Sequence, residues 1–454
     1  MPSGSGFGPD PGPDPDAALP TAEVVAPVAR RPHTAILIGV ALGTLLGLAA
    51  SALVSAEVIT RGDVQDDIAW VTLPLGQVFL RLLFMLAVPL IFAALVTGVA
   101  ELDPKSLGRI GMRTLGYAAV LSAIAVGLGL LLVNLIRPGH WDQGRLRLLA
   151  EQAQGPDIPV ADRPGMGSLV QMIPTNPVGA AASGDMLGLI IFALVLGIGL
   201  AVVRTSGARA LRTTIAGLSD VCMWLIQQVM RLAPIGVGAL LFGSFATLGL
   251  DLFRTIGGYV LTVVLALVIH CFVVYPLFVR VLGGMSPHRF FAGSRLALTT
   301  GFATASSAAT LPTTLRVAET ELGLPRAVAR FVLTAGASMN QNGSALFEGI
   351  TVLFLAQVFG VDLDLGQQLV IMLICILGGI GTAGIPGATL PVIAMMLAMV
   401  DVPAQGLALV LGVDRILDMC RTTVNIAGDL AIAVVVARDA PPMPPAEAEA
   451  AADV

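Results

Sequence analysis

Residues 414–429, Asp-Arg-Ile-Leu-Asp-Met-Cys-Arg-Thr-Thr-Val-Asn-Ile-Ala-Gly-Asp, lie inside a segment, 407–436, otherwise apolar enough to cross a bilayer. Three aspartates, two arginines and an asparagine there restrict the fold more sharply than any other stretch. A charge at mid-membrane costs at least ~2.5 kcal/mol even on the mildest scale. Asp418, Thr422, Asn425 and Asp429 follow at i, i+4, i+7 and i+11, one face of a helix, with Arg421 beside them. That face must look into protein or a watery cavity, because lipid offers it no partner. The column is about three turns long and suits a small zwitterion, a cation or both. A blander account is local pairing, since Arg421 and Arg415 each stand three residues from Asp418 and can neutralise it silently. Six polar groups in one span weigh against silence, because ionisable groups within a membrane serve function by default.

The rest of the chain agrees with a membrane setting. Of 454 residues 56% are hydrophobic and only 12% charged, and runs of 18 or more apolar residues recur, which marks an all-α polytopic membrane protein. No basic patch invites nucleic acid. Cys222, Cys271, Cys375 and Cys420 all sit in apolar spans without CxxC or metal spacing, and His33, His140, His270 and His288 are scattered. No cofactor is expected. Nor is an enzyme, for the chain has no HExxH, no Ser/His pair and no paired aspartates in facing spans.

Residues 1–31 are rich in Pro, Gly, Ala and Asp and read as a disordered tail, as do 439–454. The first apolar run is too long for a signal-peptide core and reads as a retained span. Eight spans are expected near 34–56, 73–101, 109–137, 185–204, 214–246, 252–284, 325–356 and 404–437. Arg30 and Arg31 precede the first; Lys105, Arg109 and Arg113 follow the second; Arg204, Arg209 and Arg212 follow the fourth; Arg280, Arg289 and Arg295 follow the sixth. The alternate loops are acidic or mixed, one carrying Asp63, Asp66 and Asp67. The positive-inside rule then makes both termini cytoplasmic.

Two regions do not fit as crossings. Residues 289–318 hold a run of Thr, Ser and Ala ending at Pro312, and 366–400 hold Gly378 to Gly387 between two apolar arms. Each arm is short and each centre is too rich in Gly, Ser and Pro to be helical, so both read as re-entrant hairpins buried in protein. Their tips are expected to meet near mid-membrane, where half-helix N-termini bind a carboxylate and free carbonyls bind a cation. The seventh span is interrupted at Ser338-Met339-Asn340-Gln341-Asn342-Gly343-Ser344, a site of local unwinding. Glu348 follows one turn on. A carboxyl in that place either stays neutral and structural or loads and releases a proton.

Taken together, these motifs resemble the glutamate transporter family, the dicarboxylate/amino-acid:cation symporters, from about residue 34 to 438. The resemblance rests on the serine-rich tip Ser306 to Pro312 ending ATLP and on Asn340 to Ser344 in place of an N-M-D-G-T motif. It rests equally on the second tip Gly381 to Gly387, and on Leu417 to Thr422 through Asn425 to Asp429. The resemblance implies eight transmembrane helices and two hairpins in an elevator fold, assembled as a homotrimer in the cytoplasmic (inner) membrane. It assigns a transporter domain to 32–438, with a scaffold of 34–101 and 185–246 and a transport part of 109–137 and 252–438. Asp418 is implied to receive a substrate α-amino group and Arg421 a side-chain carboxylate, with hydrogen bonds from Thr422, Asn425 and Ser344. Amides around Ser306, Ser307 and Gly384 are implied to hold the α-carboxylate. Dicarboxylate carriers of the family lack the aspartate and neutral amino-acid carriers replace the arginine, so the pair points to aspartate or glutamate. The alternatives are a C4-dicarboxylate or neutral amino-acid symporter, and an anion channel or sensor on the same fold.

Departures from the family pattern bear on the driving ion. Family members coupled to sodium build one deep site from the motif aspartate and third-span oxygens; the matching residues here are Asn342, Leu121, Ser122 and Ala118. Gln341 replaces a motif methionine, which alters a second site. A sodium site is expected to survive at Asn340, Asn425 and Asp429 with carbonyls near Gly336. Glu348 matches the proton-carrying glutamate of some relatives, so coupling to protons is expected, with at most one sodium ion. Ala308 and Ala305 interrupt the pattern of the first tip, and Thr389 stands where a glycine is usual beneath the second.

Overall fold

The computed structural model describes residues 31–100, 109–140, 173–183, 186–381, 389–403 and 406–438, and all regular structure among them is helical. Helix α1 is Arg31–Ser55. α2 (Arg61–Asp67) continues through a π-helical turn at Ile68–Thr72 into α3 (Leu73–Met85), and α4 (Ala87–Ala100) follows one residue later. The acidic segment with Asp63, Asp66 and Asp67, expected as a loop, is therefore helical. Thr60 caps it and Asp63 closes the reciprocal box, so the carboxylate sits at the positive end of the helix.

α5 is Arg109–Ile136, α6 Pro177–Ser183 and α7 Met186–Val202. α8 (Ser206–Met230) and α9 (Ala233–Leu248) meet at a bend of 55°, where Pro234 in the first turn of α9 begins a new helix. α10 (Asp251–Ile269) passes through a second π-helical turn, His270–Val274, into α11 (Tyr275–Val281). Among the described residues five helical stretches are long and apolar enough to cross a bilayer, or six if the bent pair is one span. The protein is a multi-pass membrane protein.

α12 (Pro287–Thr304) and α13 (Ser307–Thr320) form the first hairpin. Its break is narrower than the composition suggests, only Ala305, held left-handed at φ 49°, and Ser306. Ser306 accepts from the Ala309 amide as N-cap, so the small residues behind it start a helix at once, and Pro312 lies inside it. α14 (Arg326–Met339) and α15 (Asn342–Val358) flank the expected interruption, which is likewise just two residues, Asn340 and Gln341. α16 (Leu365–Gly381) and α17 (Thr389–Met399) are the arms of the second hairpin; residues 382–388, with Gly384, lie outside the described residues. Cys375 on one arm touches the Met396 sulfur on the other at 3.7 Å.

α18 (Leu407–Arg438) completes the chain and packs against α5, α9 to α15 and the turn before α11. This enclosure, and not local preference, is what lets a charged column run through an apolar helix. α1 lies directly on α9, where a Cβ at Gly43 would strike the Gly238 carbonyl, so the two backbones touch through glycine.

Candidate functional site

The expected column is real: Asp418, Arg421, Thr422, Asn425 and Asp429 are all buried on α18. Arg421, 1% exposed, is its centre. Its Nε donates to Asp418 Oδ1 at 3.0 Å and its Nη1 to Asp414 Oδ1, also at 3.0 Å. Nη2 lies 3.0 Å from the same Asp418 oxygen but is out of line for a hydrogen bond, and it has no other acceptor. The guanidinium also rests on the Phe347 ring, 4.2 Å from its centroid, a desolvated contact worth about 2 kcal/mol. Phe347 tilts against Tyr259 of α10, whose hydroxyl meets Thr351 at 2.8 Å. Arg415, more exposed, approaches Asp418 Oδ2 at 3.4 Å. Two carboxylates and two guanidinium groups thus balance in a small volume, with one guanidinium nitrogen left over.

A turn further along, Asn425 bridges the helix break. Its Oδ1 accepts from the Gly343 amide at 2.7 Å, and its Nδ2 donates to Gln341 Oε1 at 2.5 Å and to Ser344 Oγ at 3.2 Å. Asn340 Nδ2 donates to Asp429 Oδ1 at 2.8 Å, and Gly336 lies so close that a Cβ there would be 2.5 Å from that oxygen. Asn340 Oδ1 is buried with no partner. Asn340 Oδ1 and the Asp429 carboxylate are hard oxygens of the kind a sodium ion takes. The Asn425 side-chain oxygen accepts from Gly343 with one of its two lone pairs and keeps the other, while its amide nitrogen is fully engaged. Asn342 turns the other way, accepting from Ser122 Oγ at 2.6 Å and donating to Tyr275 Oη at 3.2 Å.

Glu348 is completely buried on α15 within electrostatic reach of Arg421, and neither of its oxygens has a hydrogen-bond partner. At the first hairpin Ser307 is buried with its hydroxyl unpaired, Ser306 serves as cap, and α12 meets α18 where Gly301 touches Ile426. Thr389, the first residue of α17, is buried with its hydroxyl unpaired. The structure therefore gathers Ser344, Gly336, Asn340 and Glu348 around the α18 column and packs the first hairpin on it.

The part played by three residues was not anticipated from sequence. Asp414 is a full second partner of Arg421, which spacing could have revealed, since seven residues is two helical turns. Phe347 lies next to Glu348 in an apolar run and carries no signal of its own. Tyr275 reaches the site from 67 residues away, and no pattern announces that.

A profile of the Sodium:dicarboxylate symporter family matches residues 33–439. The chain belongs to that family. It is 33% identical over 370 residues to the proton/glutamate-aspartate symporter of Escherichia coli (strain K12), covering 80% of this chain and 84% of that protein. It is 31% identical over 425 residues to the proton/sodium-glutamate symport protein of Bacillus subtilis (strain 168), covering 92% and 94%. It is also 32% identical over 404 residues to excitatory amino acid transporter 3 of Mus musculus, covering 78% and 76%. The symporter family match takes in the α18 column, the broken α14–α15 and both hairpins in one continuous region.

Proposed function

We propose that this chain is a secondary active symporter that imports acidic amino acids, aspartate or glutamate, across the cytoplasmic (inner) membrane. Cations drive it, with the proton favoured over sodium. The observation that carries the reading is the Asp414–Arg421–Asp418 network, buried beside the break in the seventh span with Arg421 Nη2 unpaired. The names of the relatives, which join glutamate to protons or to protons and sodium, support it.

The chemistry is an exchange of partners. A substrate ammonium takes Asp418 from Arg421, and the guanidinium fork turns to the substrate side-chain carboxylate, a bidentate match. Thr422, Asn425 and Ser344 add hydrogen bonds, and the amides near Ser306, Ser307 and Gly384 take the α-carboxylate. Such a substrate carries one net negative charge, which a membrane interior tolerates only when compensated. A proton on Glu348 supplies that compensation. A sodium ion between Asn340 and Asp429 is the second means of doing so, using carbonyls near Gly336 and Asn425.

The same reading gives eight spans and two hairpins, with α7 and the broken α14–α15 as the two crossings too short or interrupted to qualify by length. A homotrimer is included, with scaffold 34–101 and 185–246, an elevator-like transport part of 109–137 and 252–438, and both termini cytoplasmic. Uptake of labelled aspartate by proteoliposomes, with unlabelled aspartate, glutamate, succinate and serine as competitors, tests it. Aspartate and glutamate should compete and succinate and serine should not. No aspartate uptake, with concentrative uptake of labelled succinate in its place, would make the protein a dicarboxylate carrier.

A further inference from the structure

Tyr275 is the first residue after the π-helical turn His270–Val274, and the extra residue in that turn accompanies a tyrosine directed at the break between α14 and α15. Its hydroxyl accepts from Asn342 Nδ2 at 3.2 Å and donates to the Val424 carbonyl at 3.1 Å. Asn342 in turn accepts from Ser122 Oγ at 2.6 Å. The chain Ser122–Asn342–Tyr275–Val424 thus joins α5, α15, α11 and α18 without a single charge. Every polar side-chain atom in it is satisfied, whereas Asn340 Oδ1 and both Glu348 oxygens close by are not. The Val424 carbonyl has two lone pairs, one for its helical donor and one for Tyr275. Access to it depends on Gly428, where a Cβ would lie 2.6 Å from Tyr275 Oη. Tyr275 and His270 also meet edge to face, ring centroids 4.6 Å apart, which helps to fix the phenol ring.

We propose that Tyr275 is a positioning residue for the substrate site, holding Asn342 and the Val424–Asn425 turn so that the Asn425 amide meets Gly343, Gln341 and Ser344. The inference rests on the acidic amino-acid reading and adds to it a group more than a hundred residues from the α18 column in sequence. Val424 directly precedes Asn425, and Asn342 directly precedes Gly343, so the tyrosine holds both partners of the Gly343–Asn425 bond by their neighbours. A loss here alters the geometry that receives substrate while leaving Asp418, Arg421 and Glu348 in place.

The test is aspartate uptake by reconstituted protein carrying Tyr275→Phe, Asn342→Ala or both. Tyr275→Phe should raise KM about tenfold, the worth of one buried hydrogen-bond network, with kcat within about threefold. The double variant should be no worse than about threefold beyond the single ones, because both cut the same chain. Gly428→Ala, which keeps the tyrosine but places a Cβ against its hydroxyl and against the Asn340 and Asn342 amide nitrogens, should raise KM at least as much, and it replaces Tyr275→Phe if that protein does not accumulate. An unchanged KM in Tyr275→Phe or Gly428→Ala, or a double variant equal to the product of the single effects, would overturn the assignment. If the unaltered protein took up no aspartate, the functional reading would fall and this inference with it. Normal wild-type uptake beside an indifferent Tyr275→Phe would sink the inference alone.

Discussion

At the scale of single residues, the proposed specificity rests on Arg421. It is buried, shared between Asp414 and Asp418, seated on Phe347, and left with one nitrogen to spare. Arg421→Cys should therefore abolish aspartate uptake, since removing one partner from a buried charge network costs about 3–5 kcal/mol. A small neutral amino acid could then enter. Retained aspartate affinity in that variant, measured by competition, would contradict the assignment of Arg421 to the substrate carboxylate. Much of this column was legible beforehand because helical periodicity places Asp418, Thr422, Asn425 and Asp429 on one face whatever surrounds them. What spacing could not supply is which side chains complete each group. Arg421 reaches back two turns to Asp414, Asn425 spends both ends of its amide on the break, and Tyr275 arrives from another helix; these choices are set by packing.

At the scale of elements, breaks and contacts matter more than helix content. The two π-helical turns left no trace in composition, and the acidic run at Asp63 to Asp67 is helical because Thr60 caps it. The expected interruptions at Asn340 and Ser306 exist, but each spans two residues where the small polar stretch around them is far longer. At Ser306 local capping explains the economy, since one serine oxygen is enough to start a helix of small residues; at Gln341, which makes no side-chain cap, Asn425 accepts from the Gly343 amide instead. The α1–α9 contact is as narrow. Gly43→Val pushes a side chain into the Gly238 carbonyl, an overpacking that costs about 1–3 kcal/mol and should lower the melting midpoint and yield of the solubilised protein. An unaltered midpoint would mean that the helices separate freely.

Over the molecule as a whole, the proposed site for a negatively charged substrate lies within a membrane that resists unpaired charge. Under the proposed function something positive must travel with the substrate, and the proposal puts it in one of two places. One is Glu348, enclosed and without a hydrogen-bond partner; the other is the pair of oxygens at Asn340 and Asp429. The cluster at Asn342 offers none, because Ser122 and Tyr275 already complete it as a neutral network. The measurement that separates these most directly is aspartate uptake by proteoliposomes under an imposed inward proton gradient with no sodium on either side, with Glu348→Gln alongside. Concentrative uptake by the unaltered protein, lost in Glu348→Gln, is the predicted result. Strict dependence on sodium with a fully active Glu348→Gln protein would contradict it.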